Sequence, residues 1–170
     1  IVSVHGGAIH VESTPGAGSR FDLWFPLADA PAEVVESQFG ALAAPRGAGQ
    51  HVLCVDDDPA MVLVVDGLLR RAGYRVTTFE QPAAALARVA ADPHAFDIVV
   101  TDFNMPEMNG MELAAALART APHLPVIITS GFISDEMRQK AGELRVGALL
   151  QKEYTLERLA GLVHTVLEQH

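Results

Sequence analysis

Between residues 51 and 170 the chain alternates, five times over, between a short β-branched run and a helix-length segment. Few folds accept that rhythm. The runs lie at 51–56, 75–79, 97–101, 125–129 and 147–150. Segments long enough for helices fill 59–72, 81–91, 110–120, 134–145 and 155–168. In the first of these Met61, Val62, Val65, Leu68 and Leu69 recur at helical spacing, which gives one apolar face. The runs are apolar without polar alternation, as strands of a parallel sheet buried on both faces are. Five strands interleaved with five helices predict an α/β fold, a doubly wound five-stranded parallel sheet.

In such a fold, ligands bind outside the carboxyl ends of the strands, at a topological switch point. The residues at those ends form a coherent set. Asp56, Asp57 and Asp58 follow the first strand and Asp102 the third; Thr129, Ser130 and Gly131 close the fourth, and Gln151 and Lys152 the fifth. Each alone has an ordinary structural explanation. An aspartate after a strand caps a helix, a threonine has β propensity, and a lysine is solvated. Their coincidence at one edge points to a site. Asp58 is separable from its neighbours, because it precedes Pro59 and so reads as an N-cap with proline at N1.

Crowded carboxylates need something positive. Hard cations such as Mg²⁺ take carboxylate, carbonyl and water oxygens, with one or two direct carboxylates. A net charge of −9 fits a cationic ligand and argues against nucleic acid or an anionic membrane surface as partner. With a metal bound, one carboxylate can act as nucleophile. Phosphoryl transfer then needs positioning, and positive charge or donors around the equatorial oxygens; Lys152 and Thr129 are of the right kind. No phosphate-binding loop of the G-x-x-x-x-G-K-[ST] or G-x-G-x-x-G type occurs, which disfavours nucleotide binding by this part. Cys54 is the single cysteine and lies in an apolar run, so it reads as a buried hydrophobe in a reducing, cytoplasmic setting. No apolar run reaches the roughly 18 residues that would span a bilayer.

Residues 29–50 have the Ala, Pro and Gly content of a linker. They separate a short N-terminal piece, 1–28, from the alternating part, 51–170. The N-terminal piece reads as the end of an apolar helix, a Gly6-Gly7 break, a strand at 8–13, a Pro15-Gly16 turn and a strand at 20–27. That is a β-hairpin.

Four separated stretches, VLCVDDDP, FDIVVTDFNMPEMNGMEL, LPVIITSG and LLQKEYT, make residues 51–170 resemble a response-regulator receiver domain, whose fold is flavodoxin-like. The resemblance implies that Asp102 is the phosphoacceptor for a phosphohistidine. It implies Mg²⁺ held by Asp57, Asp102 and the main-chain carbonyl of Asn104, with Asp56 completing the acidic pair. Thr129 would bond a phosphoryl oxygen, Lys152 would pair with the carboxylate or phosphate, and small Ser130 would leave room for the phosphate. Pro106 and Gly110 would shape the loop after Asp102. Residues 1–28 resemble the extreme end of a histidine-kinase ATP-binding domain, through IVSVHGGAIHVESTPGAGSRFDLWFPL. The boxes that hold ATP in that family, and its phosphoacceptor histidine motif, are absent from this sequence, so whether the chain is itself an enzyme is open. Together the parts imply the end of a bacterial hybrid sensor histidine kinase, cytoplasmic, in a longer parent that a membrane anchor would suit. Its phosphohistidine donor would be its own kinase core or a histidine phosphotransfer domain.

Two positions depart from the receiver pattern. Glu153 follows Lys152 where the family usually has proline, often after a cis bond. A cis bond without proline costs roughly 2.5–4 kcal/mol, so a trans bond is expected, with a carboxylate beside the ammonium. Leu149 stands where many receivers carry an aromatic switch residue. These departures leave a second reading, a receiver-like interaction module that is never phosphorylated. A third, a hydrolase with its nucleophile on the first strand, finds only the Asp56 and Asp58 spacing in its favour.

Overall fold

The computed structural model describes residues 6–14, 16, 18–26 and 47–170. The chain divides into two compact units, Ile1–Leu42 and Ala43–His170. The expected helix end at 1–5 and most of the linker, 29–46, lie outside the described residues.

In the first unit, β1 (Ala8–Thr14) and β2 (Gly18–Trp24) pair antiparallel, Ala8 opposite Trp24 and Thr14 opposite Gly18. Because side chains alternate across a strand, one face gathers Ile9, Val11, Phe21 and Leu23. The other carries His10, Glu12, Arg20 and Asp22, with Arg20 Nε donating to Asp22 at 3.0 Å. The hairpin expected from the sequence is present.

The second unit contains β3 (His51–Val55), α1 (Pro59–Arg71), β4 (Arg75–Phe79), α2 (Pro82–Ala91), β5 (Ile98–Asp102), α3 (Gly110–Thr120), β6 (Val126–Ser130), α4 (Asp135–Glu143), β7 (Ala148–Gln151) and α5 (Thr155–Gln169). All strands are parallel, in the order β4-β3-β5-β6-β7. The order reverses between β3 and β5, and that is the switch point where a crevice opens. The fold is the one expected. Alternate residues of each strand feed two separate cores. Leu53, Val55, Val99, Val126 and Ile128 pack with Val89, Leu113, Leu117 and Met137 under α2, α3 and α4. Val52, Cys54, Ile98, Val100 and Ile127 pack with Val65, Leu69, Leu159 and Val163 under α1 and α5. A sheet apolar on both faces therefore needs helices on both, which explains the unbroken β-branched runs.

Helix starts are specified locally. The Asp58 side chain accepts from the Ala60 N–H at 2.9 Å, with Pro59 at the first helical position. Asn109 caps α3 in a capping box with Glu112. The last residues of the sequence-read linker pack on the second unit: the Gly47 N–H donates to Ala72 O at 2.8 Å, and the Gly49 N–H to Gly73 O at 3.1 Å. Among the described residues no helix is long and apolar enough to cross a membrane.

Candidate functional site

The C-terminal ends of β3 and β5 lie side by side, with Val55 in register with Thr101. Each strand thus delivers its acid to the same crevice. Asp56 and Asp102 are both 4% exposed, whereas Asp57 is open to solvent. One carboxylate oxygen from each of Asp56, Asp57 and Asp102 lies within 4.8 Å of the others. Three carboxylates at that spacing repel one another unless a cation joins them.

Lys152, which follows β7, brings a cation to them. Its Nζ lies 3.1 Å from Asp102 Oδ1 and 3.3 Å from Asp56 Oδ2. Burial works against the ammonium, but Asp102 and then Asp56 outweigh it and raise its pKa. Burial also raises the Asp56 carboxyl above the ordinary aspartate range. The Asp58 N–H, which donates to Asp56 Oδ1 at 2.9 Å, and Lys152 pull it back, while Asp102 adds to the rise. Asp102 Oδ1 has its ion-pair contact with Lys152 but no aligned hydrogen bond from the described residues. A buried carboxylate oxygen left in that condition, in a set made only of hard oxygen donors, suits a small divalent cation. The residues present therefore fit one.

Thr129 stands beside Asp102 in the sheet register and is buried. Its hydroxyl donates to the Thr101 carbonyl at 3.3 Å, so here it is satisfied by backbone and not by the carboxylate. Ser130 is likewise buried and bonded to the backbone of Phe132. Asn104, two residues past Asp102, is exposed and lines a cavity of about 340 Å³ with Phe103, Met111, Phe132, Met137 and Lys140. Nothing in the sequence marked that cavity, because its lining comes from loops and helices whose approach only the fold determines. A Cβ on Gly110 would run into the Asp102 carbonyl, and the Gly110 N–H donates to Phe103 O at 3.0 Å. The glycine is what lets α3 start so close behind the acid.

Both departures have definite places in the structure. No described peptide bond is cis, and Lys152–Tyr154 forms one 3₁₀ turn leading into α5. Glu153 is exposed while the Lys152 ammonium reaches inward, so the neighbouring carboxylate does not displace the aspartates. Leu149 is half-buried and packs against the core under α2, α3 and α4.

This geometry has relatives. A family profile described as the response regulator receiver domain matches residues 52–164. The response regulator receiver protein CpdR of Brucella abortus (strain 2308) is 30% identical over 118 residues, covering 69% of this chain and 97% of that protein. The sensor kinase CckA of the same organism is 30% identical over 177 aligned residues, covering 99% of this chain and 18% of that protein. The chain spans 13% of the length of the rice two-component response regulator ORR24, which it also matches. Among solved structures, the chemotaxis protein CheY4 of Vibrio cholerae superposes with a TM-score of 0.64 at 29% identity, over 70% of this chain and 99% of that one. By sequence, topology and the acids at its switch point, the chain belongs to the response regulator receiver domain family.

Proposed function

We propose that the chain takes part in two-component phosphorelay signalling by accepting, on Asp102, a phosphoryl group from a phosphohistidine. The observation that carries this reading is the meeting of Asp56, Asp57 and Asp102 with a single ammonium, Lys152, at the switch point of the sheet. Asp102 is the nucleophile: its carboxylate oxygen forms the new O–P bond as the N–P bond of the donor breaks, and the electron pair leaves on the imidazole nitrogen. Its burial holds the attacking oxygen in place, and Gly110 fixes the backbone behind it. Asp57, Asp102 and the Asn104 carbonyl, with Asp56 beside them, would hold Mg²⁺, which supplies charge neutralisation on the phosphoryl oxygens. Lys152 stays paired with the carboxylate and then with the new phosphoryl oxygens. The Thr129 hydroxyl turns from the Thr101 carbonyl to a phosphoryl oxygen.

We further infer that the chain is part of a hybrid sensor kinase, with residues 1–28 the remnant of its ATP-binding domain, 29–50 a linker and 51–170 the receiver. The similarity to the sensor kinase CckA over 99% of the chain supports this, as does the hairpin with its one apolar face. The donor is then the kinase core of the same protein or a histidine phosphotransfer domain. The lone, buried Cys54 suits the cytoplasmic side.

Incubation with phosphoramidate and Mg²⁺, followed by intact mass measurement, tests the assignment. Gain of one phosphoryl group, lost in Asp102→Asn, is expected. No gain in the parent chain would instead favour the interaction module. Loss in Asp56→Asn with label retained in Asp102→Asn would move the nucleophile to the end of β3.

A further inference from the structure

At the edge of the sheet where β6 and β7 begin, opposite the acids, a groove of about 370 Å³ opens between α3, the loop into β6 and the turn that joins α4 to β7. Its floor is apolar and continuous with the core: Ala114, Leu124 and Val126 are 3%, 6% and 6% exposed. Ala118, Leu144 and Val146 complete the apolar wall. Ala114 and Ala118 stand four apart on α3 and so share a face; two methyl groups in place of longer side chains leave the space open. The backbone beside the groove is satisfied, since the Gly147 N–H donates to the Val126 carbonyl at 2.8 Å and the Val146 N–H to Ala141 O at 2.9 Å. Its polar chemistry therefore lies in two side chains, Arg145 and His170, and no carboxylate side chain is among the described residues that line it.

Arg145 stands there against the preference of the backbone. Its φ is 55°, in the left-handed region. The Val146 N–H reaches back to Ala141 O and the Arg145 N–H to Gly142 O at 3.2 Å, the two bonds of a Schellman ending to α4. Glycine is the usual occupant of that position, because an L side chain crowds its own carbonyl there. An arginine weakens the turn, so what it contributes is the guanidinium. Among the described residues that group has no salt bridge or hydrogen bond. Glu143, the acid nearest in the chain, accepts instead from Gln139 Nε2 at 3.1 Å. A planar, permanently charged fork at the end of an apolar groove matches a carboxylate with an apolar tail.

We propose that this groove binds a free small-molecule carboxylate, its apolar tail on Ala114, Ala118, Leu124 and Val126 and its head on the Arg145 guanidinium. The volume lies at the small end of ligand sites, which run from about 300 to 1,000 Å³, and suits a single unbranched tail. A net charge of −9 sets the chain as a whole against an anionic lipid surface, so the ligand is taken from solution. The groove lies at the opposite end of the strands from Asp102, and its occupancy does not depend on what Asp102 accepts.

Titration calorimetry of the full chain with sodium decanoate, kept below its micellar range, tests the site, with decanol as the tail alone and acetate as the head alone. Saturable one-to-one binding of decanoate is expected, with decanol about tenfold weaker and acetate not bound. Arg145→Gly removes the guanidinium and relieves the left-handed backbone. It should therefore raise the melting temperature while lowering decanoate affinity to that of decanol, a combination that a purely structural arginine would not give. Ala118→Leu, at an exposed position of α3, fills the notch and should abolish binding of both. Decanoate binding retained in the folded Ala118→Leu protein places the ligand elsewhere, such as the apolar face of the hairpin, and overturns the site. Equal affinity for decanoate and decanol, or an Arg145→Gly protein that binds decanoate as tightly as the parent, overturns the carboxylate. No uptake of decanoate, with a dimer in sedimentation that Ala118→Leu abolishes, overturns it in favour of a second copy of the chain.

Discussion

Lys152 shows how much rests on single side chains in this crevice. It is the one cation paired with the acids of the site among the described residues, bridging Asp56 and Asp102 at 3.3 and 3.1 Å. Lys152→Met would leave those carboxylates facing each other in a buried setting. Removing one partner of a fully buried pair costs about 3–5 kcal/mol; with the ammonium still partly reached by water, a loss of roughly 1–3 kcal/mol is expected in urea unfolding without Mg²⁺. Tyr74 offers a pH-dependent case away from the acids. It is 4% exposed, its hydroxyl has no partner among the described residues, and burial raises its pKa above the ordinary 10.0. Above pH 10 the unfolded phenol sheds its proton while the folded one retains it. Stability is therefore full below that point and falls as the pH climbs toward the folded value. Tyr74→Phe should leave stability at pH 7 equal or up to about 1 kcal/mol higher, and should flatten the alkaline fall measured by thermal melts between neutral and alkaline pH. At this scale the sequence was legible where a residue's chemistry is strong. Asp58 as a helix cap is an example, since the cap and Pro59 are neighbours in the chain. It was not legible for Thr129 and Ser130, whose hydroxyl partners are set by rotamers and by backbone brought in from elsewhere.

At the scale of elements, the strand and helix limits read from periodicity differ from the structure by about one residue at most ends, because apolar runs and caps are local signals. The loop after Asp102 depends instead on a close approach. Gly110 begins α3 where a side chain would strike the Asp102 carbonyl. Gly110→Ala must push that carbonyl, and with it the acid, out of place. Overpacking of this kind costs about 1–3 kcal/mol, so denaturant unfolding should show that loss together with weaker phosphoramidate labelling of Asp102. The hairpin obeys the same alternation rule in a simpler form, since β1 and β2 turn Ile9, Val11, Phe21 and Leu23 to one side. The turn after Lys152 is an element that the family pattern left unspecified: with Glu153 in place of proline, Lys152–Tyr154 winds as one 3₁₀ turn and still aims the ammonium at the crevice.

For the molecule as a whole, like charges concentrated at one edge oppose folding, and a bound cation would offset that cost. Anything that binds the folded state alone stabilises it by mass action, by about 2.7 kcal/mol at 100 times its dissociation constant. Mg²⁺ at such a concentration should raise the melting temperature of the chain, and Asp57→Asn should remove most of the rise; Na⁺ at equal ionic strength serves as the control. By itself the sequence determined the α/β alternation, the parallel sheet and the set of acids at the strand ends, because periodicity and adjacency are properties of the chain. Only the tertiary structure decided that Asp56, Asp57 and Asp102 meet within 4.8 Å and that Lys152, fifty residues beyond Asp102, reaches them. It alone also formed the cavity beside Phe132. Those depend on the strand order and on how loops from different crossovers pack, which no local pattern encodes.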